Sequence, residues 1–384
     1  MHKIQTKDLS RKLESILPIY LIDLLRDIGG LADKNEVSVY IVGGFVRDML
    51  IGISNFDIDL VIEGDAIAFA ESLKEKLNAK LRISQRFKTA KLLLNNGLSI
   101  DLAMARTESY SCPAALPVVE SSCLLNDLCR RDFTINTLAL SLNKKTFGLL
   151  IDSFKALHDL KQKRIKVLHD LSFIDDPTRI LRAVRFEQRF DFRIDKYTQN
   201  LIFAAIDKKI FKKVEKYRMM NELILLLNEP KPIKVIRRMN SFDKLDFIHL
   251  NIKFKSSLCE KIKAAEGIIN CYKKFCPNKN VKMWIIYFMA IIDDLNIHDL
   301  KEIFTISSFN KKEKELLLEI KKTGDNVLES LELIPIRGIS RLNELLKDRL
   351  VEECLFLISK SKKTGIKKMF TDYLVKYVNM KIDN

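Results

Sequence analysis

The chain is poor in the residues that hold metals and build disulfides. It has five histidines in 384 residues, and none is clustered with another at ligand spacing. Its seven cysteines, Cys112, Cys123, Cys129, Cys259, Cys271, Cys276 and Cys354, are odd in number and form no repeated CxxC pattern. That argues against a disulfide framework and a zinc site, and reduced thiols are expected. No run approaches the ~18–20 apolar residues that span a bilayer. The opening MHKIQTKDLSRKLE has no long apolar core, so no secretory leader is expected. A cytoplasmic chain with no membrane contact follows as the expectation. Internal repeats and low-complexity tracts are also missing. What is abundant is positive charge: 66 Lys and Arg oppose 50 Asp and Glu, a formal net charge of +16. That balance points to a polyanion partner, nucleic acid or acidic membrane, or else to a uniformly basic composition. A hydrophobic share of 47% supports real cores. The length allows two or three domains.

The densest information lies in residues 42–63, VGGFVRDMLIGISNFDIDLVIE. Side chains alternate across a strand, so Asp57 and Asp59 would share one face, with Ile58, Leu60, Val61 and Ile62 packing the sheet. Adjacent carboxylates repel each other and lose solvation. A divalent cation is the usual compensation, and hard oxygen ligands suit Mg²⁺, which also binds substrate phosphates. Two such ions about 4 Å apart can clamp an in-line phosphoryl or nucleotidyl displacement. The alternative is an edge strand with both carboxylates in water. Gly43 and Gly44 sharpen the first reading. A Gly-Gly turn between a strand and a helix beginning near Phe45 lets the backbone approach a triphosphate. Arg47 would bind phosphate or pair with an acid of the fold, and Asp48 follows it.

Residues 9–29 read as one amphipathic helix, 36–42 as an apolar strand, 57–62 as a second strand and 65–77 as a helix. Further strands are expected at 80–84, 88–94 and 98–103, with Asn95-Asn96-Gly97 as the turn between the last two. Residues 105–122 carry two prolines and few apolar anchors, which suggests a mobile loop bearing Arg106, Glu108 and Tyr110. From about residue 155 the pattern is helical. Asn228-Glu229-Pro230-Lys231-Pro232 breaks it at an expected domain boundary.

GGFVRDMLIGISNFDIDLVI resembles the first signature of the class II tRNA nucleotidyltransferase and bacterial poly(A) polymerase family, within the polymerase β superfamily. RRDFTINTLAL at 130–140 and DDPTRILRAVRFEQRF at 175–190 resemble its second and third signatures. The likeness covers roughly residues 30–230. It implies an α+β chain: a small mixed β-sheet nucleotidyltransferase head of polymerase β type, followed by an all-helical neck, body and tail. The expected divisions are an N-terminal helical segment (1–30), a catalytic head (31–150), a neck that recognises the base (151–228) and a body and tail that bind tRNA (229–384).

The same resemblance implies residue roles. Asp57 and Asp59 hold Mg²⁺. Asp101 would lie on a neighbouring strand as a third catalytic carboxylate that binds metal or takes the proton of an attacking hydroxyl, if it is not a half-exposed strand residue. Gly43, Gly44, Arg47 and Asp48 approach the nucleotide. Arg130 and Arg131 neutralise the triphosphate, Asp132 caps a helix beginning near Phe133, and Asn136 lies four residues on along the same face. Asp176 and Arg179, at i and i+3 of a helix, would share a face toward the base. Such a pair suits cytosine and adenine, which each present an exocyclic amine beside a ring acceptor, and leaves buried groups unpaired against guanine or uracil. Asp175 stands where many members have Glu. Arg182 and Arg185 continue along the helix toward nucleotide, RNA phosphate or fold acids. Arg218 and Glu222 resemble a bracing ion pair. In the segment 150–160, Ser153 and Ala156 replace a usual Pro and Gly of a hinge, while Asp152 remains.

The implied activity is template-independent addition of CMP and AMP, from CTP and ATP, to the 3′ end of tRNA held by its acceptor arm, with no obligate protein partner. Narrower alternatives are an enzyme that adds only A or only CC. A poly(A) polymerase and an RNA-binding protein without catalysis are further alternatives. The pairs His158-Asp159, His169-Asp170 and His298-Asp299 are isolated, which argues against a fused phosphohydrolase.

Overall fold

The computed structural model describes residues 5–109, 112, 114, 117–210, 214–242, 248, 251–252, 256–335, 338–363 and 365–378. Tyr110 lies outside them. The chain forms two compact units, Met1–Arg179 with Phe190–Lys208, and Ile180–Arg189 with Lys209–Asn384. These borders fall elsewhere than the expected divisions at 30, 150 and 228.

The first unit contains β1 (Gln5–Asp8), α1 (Ser10–Ile16), α2 (Ile19–Lys34), β2 (Ser38–Val42), α3 (Gly44–Leu50), β3 (Ile58–Glu63) and α4 (Ala66–Leu77). Then come β4 (Lys80–Ser84), β5 (Thr89–Leu93), β6 (Ser99–Met104), β7 (Arg106–Ser109), β8 (Val118–Ser121), α5 (Leu124–Cys129), β9 (Ala139–Ser141) and β10 (Leu149–Asp152). After them follow α6 (Ala156–Lys161), β11 (Arg164–Ile165), α7 (Ser172–Asp175), the two ends of α8 (Thr178–Phe190), β12 (Arg193–Ile194) and α9 (Lys196–Asp207). Eight strands make one mixed sheet in the order β1-β10-β9-β2-β3-β6-β5-β4. Neighbours pair antiparallel except β3 and β6, which run parallel. The connection between those two carries α4 and the β4–β5 hairpin. Ile58, Leu60 and Ile62 are buried on one face of β3, and α4 packs along that side of the sheet on β5 and β6. Val61 turns to the other face and meets Val42, Leu124, Leu128 and Ala139.

The expected helix at 9–29 is two helices. Pro18 has no N–H to continue the first, Leu17 before it is extended, and Pro18 becomes the N-cap of α2. α2 then runs past Gly29-Gly30 to Lys34. The strand expected from 36 starts at Ser38, because Glu36 has φ of 55°. The expected loop at 105–122 is in part a ribbon, since β7 and β8 pair antiparallel. Asp152 in the presumed hinge is buried, and its carboxylate accepts the N–H groups of Ala156 at 2.8 Å and Leu157 at 3.0 Å. It caps the N-terminus of α6.

Among the described residues, the second unit holds residues 180–189 of α8, a π-helical turn at Leu374–Val378 and nine further α-helices. They are α10 (Lys216–Leu227), α11 (Pro232–Asn240), α12 (Ser256–Phe275), α13 (Met283–Ile292), α14 (Ile297–Thr305), α15 (Lys311–Leu333), α16 (Ile339–Leu346), α17 (Val351–Lys360) and α18 (Ile366–Tyr373). α13 is buried all round from Trp284 to Ile292, between α10, α12 and α17. Asp293 at its end pairs with Lys261 at 2.8 Å and Lys360 at 3.0 Å. No helix among the described residues is long and apolar enough to cross a membrane.

Adjacent glycines of α2 make a test of this packing. A Cβ on Gly29 would lie 1.8 Å from the Leu142 carbonyl oxygen, whereas one on Gly30 meets only the flexible end of Lys144, at 3.3 Å. Gly29→Ala should destabilise by about 2 kcal/mol or more, as overpacking against backbone does. Gly30→Ala should stabilise by roughly 0.5–1 kcal/mol through helix propensity. Urea unfolding of both variants checks the pair, and equal effects would contradict the packing.

Candidate active site

Parallel pairing sets Asp59 of β3 directly opposite Asp101 of β6. Asp57 does not lie in the strand as expected. It immediately precedes β3, where its N–H is held by the Asn55 side chain at 2.9 Å. The strand begins only where the next strand offers ladder partners. Asp59, Asp101, Lys91, Arg82, Arg130 and Arg131 line one cleft of about 480 Å³. Burial pushes the Asp59 carboxyl above the usual range, Asp101 adds to the rise, Arg131 opposes it, and Asp57 adds a further push. Lys91 Nζ stands 2.7 Å from Asp101 Oδ2.

The two arginines of the second motif are spread by one acid. Asp127, fully buried on α5, accepts from Arg130 Nη2 at 2.6 Å and Nε at 3.0 Å through Oδ1, and from Arg131 Nη2 at 3.1 Å through Oδ2. The spacing i, i+3 and i+4 brings all three to one side of a helix end. Arg131 Nε is buried without a hydrogen-bond partner. The same guanidinium passes over the Gly-Gly turn: a Cβ on Gly43 would lie 2.9 Å from Arg131 Nη1. Gly43 also has φ of 65° and caps α3, so only glycine serves there.

Behind that turn, Arg47 and Asp48 are buried and bonded to each other at 2.7 Å. Arg47 also donates to Asn136 Oδ1 and stacks over Phe190, 4.5 Å from the ring centre. Of the two readings of Arg47, this is the pairing with a fold acid. Asn136 in turn donates to Asp132 Oδ1 at 2.8 Å. Asp132 caps no helix: it accepts the Phe133 N–H at 2.8 Å, and one 3₁₀ turn, Thr134–Asn136, leads straight to β9. The helix expected near Phe133 fails because the motif's apolar residues Ala139 and Leu140 are needed as a central strand. Asp48 also accepts from Asn55 Nδ2 at 2.8 Å, so the buried pair steers the residue that holds Asp57.

Asp176 is not on the helix either. It is extended, ahead of α8, and accepts the Thr178 N–H at 3.1 Å and hydroxyl at 2.6 Å. Pro177 after it disfavours the helical conformation at 176. Arg179 is buried and donates from Nη1 to Ser172 Oγ and from Nη2 to the Arg130 carbonyl, both at 2.8 Å. Each of these nitrogens carries a second N–H. Burial raises the Asp175 carboxyl, against the pull of His169 and Arg179. Within the second unit, Glu222 accepts from Arg182 Nη1 at 3.3 Å and lies 3.5 Å from Arg185 Nη1, so Glu222 of the expected brace holds residues of α8.

Three residues escaped the sequence reading. Asp127 was visible in principle from its spacing to Arg130 and Arg131. Lys91 and Asn55 were visible only through strand register and loop geometry. On the ribbon, Glu108 accepts from Arg106 at 3.0 Å and Arg130 at 2.7 Å, tying β7 to the arginine pair.

The chain is similar to several known proteins. Residues 39–166 match the family model described as the poly(A) polymerase head domain. An A-adding tRNA nucleotidyltransferase of Geobacter sulfurreducens is 40% identical over 326 residues, 85% of this chain. The chain spans 37% of that relative's length. A solved apo form of a CCA-adding enzyme superposes with a TM-score of 0.80 at 38% identity, covering 98% of this chain and 88% of the other. A Thermotoga maritima CCA-adding enzyme complexed with tRNA gives 0.76 at 35% identity, covering 97% and 86%.

Crowding at Asp59 has a measurable consequence. The folded state holds its proton more tightly than the unfolded chain, so ionising Asp59 costs stability. That cost is absent below the unfolded value of about 3.9 and complete above the raised folded value. Asp59→Asn should therefore melt at a higher temperature than the wild type at pH 7 without added metal, and the gain should shrink as the pH falls through the carboxylate range. A lower melting temperature at pH 7 would remove the crowding.

Proposed function

The chain belongs to the tRNA nucleotidyltransferase and poly(A) polymerase family, and from that premise we propose that it adds nucleotides to the 3′ end of tRNA without a template. The observation that carries this reading is the facing pair Asp59–Asp101 in one cleft with Arg130 and Arg131. The RNA 3′-hydroxyl attacks the α-phosphate of CTP or ATP; the O3′–P bond forms as the bond from the α-phosphorus to the bridging oxygen breaks, and pyrophosphate leaves. Asp101 receives the hydroxyl proton. Arg130 and Arg131 hold the departing phosphates, and the orphaned Arg131 Nε is a donor that a phosphate oxygen would satisfy. The Gly43–Gly44 backbone approaches the triphosphate at the start of α3.

The family generally uses a divalent metal; no three acidic, histidine or cysteine residues among the described ones are grouped to hold an ion, but Asp59, whose carboxyl is raised by burial and by Asp101 and Asp57, has the hard oxygens such an ion takes. Mg²⁺ is our assignment, held by Asp57 and Asp59. When bound it supplies charge neutralisation at the reacting phosphate. Arg47, Asp48, Asp132 and Asn136 act as the frame under the turn. Asp176 and Arg179 read the base edge, with Arg179 tied through the Arg130 carbonyl to the triphosphate grip. Arg182 anchors the reading helix through Glu222. The basic, helical remainder receives the acceptor arm by shape and phosphate contact. Head, neck and tail at the expected divisions remain our functional subdivision, and the cytoplasm is the compartment.

A second reading, addition of the terminal A alone, is favoured by the A-adding name of the Geobacter relative. Three tRNA transcripts, ending at the discriminator base, after CC, or after CCA, separate the two when offered CTP and ATP with Mg²⁺. Extension of the bare end by CC and then A supports complete CCA synthesis. Extension of the CC end alone, by one A, supports the second reading, and long A tails on an unstructured RNA would overturn both. Asp57→Ala should lower addition by about a hundred- to a thousandfold, the scale of losing a charge-stabilising group, while tRNA binding in a gel shift stays near wild type. Asp176→Ala should admit UTP and GTP, which the wild type excludes.

A further inference from the structure

Strand register places four charged residues in one row. Asp59 on β3 faces Asp101 on β6, Asp101 faces Lys91 on β5, and Lys91 faces Arg82 on β4. Directly opposed residues share a face of the sheet, and all four line the same cleft. The row runs acid, acid, base, base. Lys91 stands at the change of sign, 2.7 Å from Asp101, with both side chains 49% exposed. Opposite charges across a ladder attract and like charges repel, so Asp101 draws the ammonium group while Arg82 pushes it the same way.

We propose that Lys91 is an exchangeable counter-ion: it pairs with Asp101 in the metal-free protein and, once a divalent cation occupies the carboxylates, turns to a substrate phosphate beside Arg82. The inference rests on the metal site of the proposed function. A cation held by Asp57 and Asp59, beside Asp101, would supply the positive charge that Lys91 otherwise provides, and two cations next to one carboxylate repel. Half-exposed pairs hold weakly, so exchange is easy. Lysine suits the task because its compact charge rides on a flexible four-carbon stem, whereas an arginine fork would stay locked on the carboxylate. Lys91 is thus a positioning and phosphate-binding residue that does not handle the reacting proton.

The test is calorimetric titration of the full chain with Mn²⁺ and no nucleotide, for the wild type, Lys91→Met and Asp59→Asn. With its competitor removed, Lys91→Met should bind Mn²⁺ about two- to fivefold more tightly, the fold-change equivalent to a weak exposed pair. The difference should fade at high salt. In steady-state assays the same variant should raise the KM for CTP or ATP more than it lowers kcat. Lys91→Arg should bind Mn²⁺ no more tightly than the wild type. Unchanged or weaker Mn²⁺ binding by a folded Lys91→Met, alongside loss of binding by Asp59→Asn, would overturn the counter-ion and leave the metal site standing. If Asp59→Asn binds Mn²⁺ like the wild type, the metal site falls and the exchange with it.

Discussion

The parallel register of β3 and β6 is the constraint on which the cleft depends. It brings two carboxylates to neighbouring positions on one face, an arrangement that costs solvation and repels. The surrounding groups offset it. Lys91 meets Asp101, Arg131 bears on Asp59, and Asp127 holds Arg131 in turn. A one-residue slip of β6 would turn Asp101 to the opposite face, next to Ile58 or Leu60 on the side covered by α4. The register is fixed because Ile100 and Leu102 are buried on that opposite face. The apolar core therefore specifies where the charges stand.

Much of this was legible in the sequence. Alternation and turn residues gave β4 at its observed bounds and β5 and β6 to within a residue, because each strand has one buried face and a clear stop. The Gly43 turn was legible because few residues other than glycine take that backbone, and the acidic pair because two carboxylates in an apolar run demand a reason. The misreadings have a common physical origin. Pro18, Pro177 and the β9 pairing each override a local helical pattern, one by a missing N–H, one by restricting its predecessor and one by tertiary demand. Partners that depend on register, such as Lys91 with Asp101, are not encoded in local spacing. They emerge only when strands from distant parts of the chain are aligned.

Several polar residues of the signatures serve the site from behind it. Arg47, Asp48 and Asn136 are buried and bonded to one another, and through Asn55 they steer Asp57. Glu108 and Asp127 stretch Arg130 between the ribbon and α5. The Arg130 carbonyl then fixes Arg179. In the proposed function, phosphate grip and base reading thus share one residue, whose side chain serves the first and whose backbone serves the second. Such a network is fully satisfied only when every member is in place, which makes its loss cooperative.

The outermost strand of the sheet, β1, is made of residues from the beginning of the chain, yet its partner is β10, with Gln5 opposite Asp152. During synthesis that edge must wait unpaired until the ribosome has released the whole stretch between them. Closing so long a loop is entropically slow, and an unsatisfied edge is an invitation to other nascent chains. By the time the sheet can be sealed, the acid row and the arginine pair have emerged, whereas Asp176 and Arg179 follow later in the chain. The Asp59–Asp101 end of the cleft can therefore assemble before Asp176 and Arg179 join it, and the edge of the sheet stays open to other chains in that interval.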